Sequence, residues 1–481
     1  MNDYLWIVIS VAFSSFMARM NNYSVNVSLP TISQFFAIGM GEASRIITGY
    51  LLIITSTLLL FGKLSDRLGL KKVFLLGYVI FVFGSLLCGI SQSILMLIGF
   101  RFVQGIGAAM LLATSFAIIS KFLPPDRTGW AFGITSTASA LGVATGAPVG
   151  GLITGYLSWH WVFLINVPVG LLAIFVALKK IPSETRTEAP AKNSRGFDVL
   201  GAALSFWGLV LLLYGINKAR EWGWHSPATI SCLGGAFFLL GAFVFHEKRC
   251  REPLLHLQFF RNRGFTFALI ATFLAFMLIA GNAFLLPFYL QIIKGLDPKQ
   301  TGLVLLTYSL IYVFLSPYAG RLSDRINPAS LCMIAMFSAS VNSFFFAWTL
   351  PSQGFLSVFV FLIWLALSYV LFFSPNNNQI MRHTTLENKG SASGLFNTTT
   401  NLAMVFGVAL FEAIFSHTIP HLEMKGASLK QANIPLAALL QGFSNAYLIG
   451  GLLCAAALFS SFLTGQAVKA KKKVAPAYAK K

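Results

Sequence analysis

Fourteen apolar stretches follow one another along the chain, and few sequence features restrict a fold so narrowly. They lie near 5–29, 44–61, 73–92, 95–120, 129–156, 160–178, 198–217, 227–246, 265–290, 301–318, 329–349, 355–376, 392–416 and 437–465. Crossing the hydrocarbon core of a bilayer takes about 20 helical residues. In that medium every backbone amide must be satisfied within the segment. A long apolar run without period-two alternation therefore predicts a helix and not a barrel strand. Only 10% of the 481 residues are charged, against roughly 25% in soluble domains. The expected fold is all-α and integral to the membrane, with fourteen transmembrane helices. A formal charge of +20 would suit nucleic acid if it formed one patch. It is instead dispersed in short clusters between the apolar runs, so no nucleic-acid partner is expected.

Those clusters set an orientation, because Lys and Arg accumulate in cytoplasmic loops. They gather at 62–72, 121–127, 179–195, 248–263, 321–325 and 382–389, and after Val468. The alternate loops hold only Lys218, Arg220, Lys294, Lys299, Lys425 and Lys430. Both termini of this multi-pass protein are expected in the cytoplasm, in the cell (inner) membrane, against anionic headgroups. The first run lacks a charged flank and a small-residue cleavage site and reads as a retained helix. Cys88, Cys232, Cys250, Cys332 and Cys454 are scattered with no CxxC pair, and the histidines show no ligand spacing. No metal, cofactor or catalytic group is expected, and hence no enzyme.

The chain also repeats itself. GKLSDRLG at 62–69 follows the second apolar run, and GRLSDRI at 320–326 follows the tenth. They occupy the same step of a six-helix unit if the seventh and eighth runs are an insertion. GKLSDRLGLKK at 62–72 resembles the signature cytoplasmic loop of the major facilitator superfamily. VNVSLPTI at 25–32, RFVQGIGAA at 101–109, SWHWVFLINVPVG at 158–170, FDVLGAAL at 197–204 and EPLLHLQFFRNRGF at 252–265 narrow the resemblance to its fourteen-helix drug:proton antiporter branch. The resemblance implies an N-terminal six-helix bundle over 1–180 and a linker with two extra helices over 181–263. A C-terminal six-helix bundle over 264–466 and a basic cytoplasmic tail over 467–481 complete it. It further implies a monomeric multidrug transporter that exports small amphipathic compounds by alternating access from a central cavity, in antiport with protons.

Candidate residues fall into three groups. On the first helix Arg19, Asn22, Tyr23 and Asn26 share one stripe at i, i+3, i+4 and i+7. A mid-membrane arginine costs at least ~2.5 kcal/mol and should face a wet cavity or an acid; the plainer alternative is packing against polar neighbours. Family members often carry an acid where Asn21 stands. Arg101 and Gln104 match the branch's buried arginine motif, and Arg45 stands nearer a helix end, where it can snorkel. With these arginines the cavity would instead suit an anionic metabolite or lipid-like anion, not necessarily coupled to protons. Asn282 and the Asn376–Gln379 run are further cavity candidates. Glu412 is the one acid well inside an apolar run, with Asn397 and Asn401 on its face, and it is the candidate proton-exchanging group. The second group is a conformational latch of Gly62, Asp66, Arg67 and Gly69, echoed by Asp324 and Arg325. There the glycines would admit close backbones while the acid caps a helix or pairs with an arginine. The third is a helix-packing face of Gly142, Gly146, Gly150 and Gly151 around Pro148. The branch usually shows GPxxGG there, and this chain reads GAPVGG.

Overall fold

A computed structural model describes residues 2–182, 198–223, 225–250, 257–350, 354–382, 389–418 and 435–478. Fifteen α-helices are found among them, and no strand. They are α1 (Asn2–Phe35), α2 (Met40–Leu68), α3 (Leu70–Gly89), α4 (Ile94–Phe122), α5 (Pro125–Tyr156), α6 (Trp159–Leu164), α7 (Asn166–Lys180) and α8 (Val199–Trp222). There follow α9 (Pro227–Glu247), α10 (Arg263–Phe288), α11 (Pro298–Arg325), α12 (Pro328–Thr349), α13 (Phe355–Arg382), α14 (Lys389–Thr418) and α15 (Leu436–Tyr478). A π-helical turn, Tyr289–Ile293, extends α10. All fourteen apolar stretches are helical. Twelve helices are long and apolar enough to cross a bilayer, counting α6 and α7 together, and a shorter apolar core, Leu200–Ile216, lies in α8.

Two expectations about element ends need correction. The sequence repeat was placed in loops after the second and tenth helices, yet 62–68 are the last turns of α2 and 320–325 the last turns of α11. Nothing in KLSDRL or RLSDR breaks a helix. The stops come just beyond, at Gly69 with φ 95°, and at Asn327, whose side chain caps α12 ahead of Pro328. Nor does Gly62 serve close backbone approach. A Cβ on Gly62 would meet nothing within 4 Å, and Gly69 supplies a positive φ that a side chain would strain.

The chain divides into two compact units. Among the described residues, the first comprises those up to 250 together with Gly295–Leu303, and the second those between 257 and 294, between 304 and 418 and between 435 and 478. In the first, α1 packs on α5, α3 on α4 and α7, and α2 on α4, while α8 pairs with α9 and touches α2. In the second, α10 packs on α14 and α15, and α12 on α13 and α15. Reading α10 as α1, α12 as α3, α13 as α4, α14 as α5 and α15 as α7 makes four pairings coincide: α1 with α5, α3 with α4, and α7 with both α1 and α3. The repeated motifs share a local detail as well. Ser65 Oγ donates to the Gly62 carbonyl at 2.6 Å and Ser323 Oγ to the Gly320 carbonyl at 2.7 Å.

Candidate functional site

Close packing of α1 on α5 positions the first-helix stripe. A Cβ on Gly142 would stand 2.5 Å from the Phe16 carbonyl and 3.1 Å from Arg19 Cβ. On Gly146 it would stand 2.6 Å from Tyr23 Cβ, and on Gly150 2.5 Å from the Ser24 carbonyl. Without a hydrophobic drive between helices in lipid, such contact is what small residues provide. Ser24 Oγ then donates to the Gly146 carbonyl at 2.8 Å, and Ser28 and Thr154 hydroxyls meet at 2.7 Å. Gly151 faces another way, towards the Pro298 carbonyl and Gly302 Cα, in the 295–303 segment that packs with the first unit. Pro148 lies inside α5, which continues through it.

Arg101 is fully buried and tightly held. Its Nε donates to the Ile46 carbonyl of α2 at 3.1 Å, and Nη1 to Gln104 Oε1 at 2.7 Å. Gln104 Nε2 in turn donates to Ser85 Oγ of α3 at 2.6 Å, where Gly84 lets the α4 backbone come close. The guanidinium lies 3.9 Å from the centroid of the Tyr50 ring and 5.7 Å from that of Phe163, while Nη2 has no hydrogen-bond partner. Tyr50 lies within electrostatic reach of Arg19 as well as Arg101, with Asn21 and Cys88 beside it. The Arg101 guanidinium thus stacks on a buried tyrosine that Arg19 also reaches electrostatically. No carboxylate occurs on α1 after Asp3, on α2 between Glu42 and Asp66, or on α3 or α4. Asn21 is buried, and its Oδ1 accepts from Asn166 Nδ2 at 3.2 Å. Asn22, Tyr23 and Asn26 are buried too, with no hydrogen bond at Asn22 Oδ1 or Asn26 Oδ1.

Tyr50 and Asn166 escaped the sequence reading. Each is a single polar residue in an apolar run, outside any spaced pattern; Asn166 opens α7 at the break in the sixth apolar stretch. Arg45 lies instead near Lys218 and Glu42. A cavity of about 470 Å³ lined by Tyr4, Phe122, Lys179 and Lys180 is also in the first unit. None of the stripe or arginine-motif residues lines it.

In the second unit Glu412 is 7% exposed, and Ser416 Oγ donates to its Oε1 at 2.8 Å. On the same helix Asn401 Nδ2 donates to the Asn397 carbonyl at 2.9 Å. Asn282 Oδ1 accepts from the Tyr447 hydroxyl at 2.8 Å, and Asn376 Nδ2 donates to Thr272 Oγ1 at 2.6 Å. Gln379 Nε2 reaches Cys332 Sγ at 3.7 Å. Asn282, Asn376 and Gln379 thus tie helices together. Of the latch residues, Arg67 and Arg325 are exposed at helix ends, and the side chains of Asp66 and Asp324 lie outside the described residues.

An all-helical polytopic protein with duplicated packing and a buried, basic polar cluster in one unit is the construction of a membrane carrier. The sequence matches the Major Facilitator Superfamily over residues 11–408, and the chain belongs to that family. It is 30% identical over 417 residues to the riboflavin transporter RibZ of Clostridioides difficile, covering 86% of this chain and 89% of that protein. It is 28% identical to the tetracenomycin C resistance and export protein of Streptomyces glaucescens, covering 86% and 76%. Identity to the multidrug resistance protein Stp of Mycobacterium tuberculosis is also 28%, covering 86% and 78%. Among solved structures, a bacterial homologue of the human lysosomal transporter Spinster aligns with a TM-score of 0.65 over 97% of each chain. At 14% identity it speaks for the fold alone. Family and relatives are transporters, so the chain is a multi-pass membrane transporter of small molecules and not an enzyme.

Proposed function

We propose that the protein exports a small amphipathic compound, neutral or anionic, by alternating access, and that the Arg19–Tyr50–Arg101 cluster receives the compound's electron-rich or negatively charged part. The carrying observation is two arginines within electrostatic reach of a buried tyrosine in a bundle core whose four helices contribute no mid-membrane carboxylate. Charge in such a medium acts strongly, because little water screens it. A cationic substrate would meet repulsion there, and Asn21 supplies no counter-charge. The names of two relatives support a small organic cargo. One is named for riboflavin, a flat heteroaromatic compound, and another for export of tetracenomycin C.

Thermal stabilisation of the purified transporter by matched cationic, neutral and anionic aromatic compounds tests the reading, since a ligand bound only to the folded state raises the melting temperature. Neutral or anionic members should stabilise, and Arg19→Gln should remove the effect. Stabilisation confined to cations would overturn it. Protons as the coupling ion are part of the proposal and rest on the placement of Glu412, a buried carboxyl inside a helix of the second unit.

A further inference from the structure

Away from the arginine cluster, metal-ligating side chains converge where α8 begins and α9 ends. Asp198 caps α8, its Oδ1 accepting from the Gly201 amide at 2.8 Å. The same oxygen lies 2.7 Å from His246 Nε2 in the last turn of α9. Cys250 stands four residues beyond His246, and its amide donates to the His246 carbonyl at 2.9 Å. The imidazole nitrogen, the thiol sulfur and a carboxylate oxygen all lie within 4.8 Å of one another.

Two further observations point to a ligand. The Asp198 side chain is only 6% exposed, yet its second oxygen, Oδ2, is buried and accepts no hydrogen bond. A buried carboxylate oxygen without a donor costs free energy unless a cation meets it. Secondly, Gly201 keeps room open there. A Cβ at that position would collide with Asp198 Oδ2 and come within 3.1 Å of Glu247 Oε1, so two carboxylates border one small space.

We propose that Asp198, His246 and Cys250 form a site for a divalent transition-metal ion of the zinc class, which fastens the start of α8 to the end of α9. One imidazole nitrogen, one thiolate sulfur and one carboxylate oxygen make the mixed, borderline-soft donor set that zinc prefers in tetrahedral geometry. Residues four apart at a helix end project on one side, so His246 and Cys250 act as a pair. The Glu247 carboxylate or a water completes the shell. On binding, the Cys250 thiol gives its proton to solvent. The ion takes the place of the His246 Nε2 proton, and the ring carries its proton on Nδ1. Sequence reading passed over this site because Asp198 is 48 residues from His246 on another helix, and the spacing of His246 and Cys250 alone is too short a pattern to distinguish. The proposal is independent of what the carrier transports.

The test uses the full chain in detergent, freed of any polyhistidine tag and of metal by chelation, and titrated with Co²⁺. About one equivalent should bind with a thiolate-to-cobalt charge-transfer band and intense tetrahedral d–d bands, and Zn²⁺ should displace it. Cys250→Ser should abolish the charge-transfer band, and His246→Gln should weaken binding by more than about tenfold. Zn²⁺ should also raise the melting temperature of the native protein and leave that of Cys250→Ser unmoved. Native protein without the charge-transfer band overturns the proposal and leaves a helix cap paired with a histidine. A band that survives Cys250→Ser overturns it equally, by placing the ion at another cysteine.

Discussion

At the scale of single residues, the side chain that sequence spacing singles out and the one that geometry adds meet in the same place. Arg19 stands on the stripe with Asn22, Tyr23 and Asn26, and electrostatically it joins Tyr23 and Tyr50. An arginine held among helices in lipid is expensive, by at least ~2.5 kcal/mol, so it persists where charge serves a purpose. Arg19→Gln should therefore reduce substrate counterflow to near background, while Asn22→Ala, which removes a hydrogen-bonding group and no charge, should leave a measurable fraction. Equal residual flux in the two variants would reduce the stripe to packing. Arg101 has a different standing. Two other helices hold it or its partner Gln104, α2 through the Ile46 carbonyl and the Tyr50 ring and α3 through the Ser85 hydroxyl, so its loss should damage folding as well as flux. That distinction was not legible in the sequence. RFVQG marks Arg101 and Gln104 as a pair, but only the fold reveals that Tyr50 stacks on the guanidinium, a contact worth up to ~2 kcal/mol where water is excluded.

At the scale of elements, what could be read depended on whether the signal was local. Apolar length is local, so every one of the fourteen stretches is a helix. Where a helix stops depends on the first breaker, and neither KLSDRL nor RLSDR contains one, which is why these residues end α2 and α11 and do not follow them. The glycine spacing on α5 is also local and defines a face, but the partner α1 appears only in three dimensions. The same structure sorts these glycines by consequence. Gly150→Ala would force a methyl to within 2.5 Å of the Ser24 carbonyl, and overpacking of that kind costs typically ~1–3 kcal/mol. Gly62→Ala meets nothing within 4 Å and should not lower the melting temperature in the same detergent; a loss there equal to that of Gly150→Ala would contradict the packing described. The motif's acids make a separate prediction. If Asp66 and Asp324 act on the rocking step and not on substrate, their Asn variants should slow turnover several-fold with ligand-induced stabilisation intact. Lost stabilisation with normal turnover would remove them from that role.

At the scale of the whole molecule, the placement of charge predicts an orientation and a driving force. Nearly all Lys and Arg fall in alternate loops, so a single cysteine introduced at Lys294 should react with an impermeant reagent from outside intact cells, and one at Lys192 should not. Reaction at Lys192 would invert the topology. The driving force is a sharper question, because the position where the branch often carries an acid is Asn21, buried and bonded to Asn166. That leaves Glu412 as the acid placed well inside a helix of the second unit, 7% exposed and accepting from Ser416. A coupling carboxyl must bind and release a proton once per cycle, whereas a substrate contact is needed in every mode of transport. The two are separated by comparing uptake driven by a proton gradient in inverted vesicles with counterflow, which needs no gradient. Glu412→Gln keeps the hydrogen-bonding shape and removes the proton exchange. It should lose gradient-driven uptake and its pH dependence while retaining counterflow at near the native rate. Loss of both assays would make Glu412 part of the substrate site. Retention of both, with the native pH profile, would show that Glu412 is not the coupling group and that the carrier is driven in some other way.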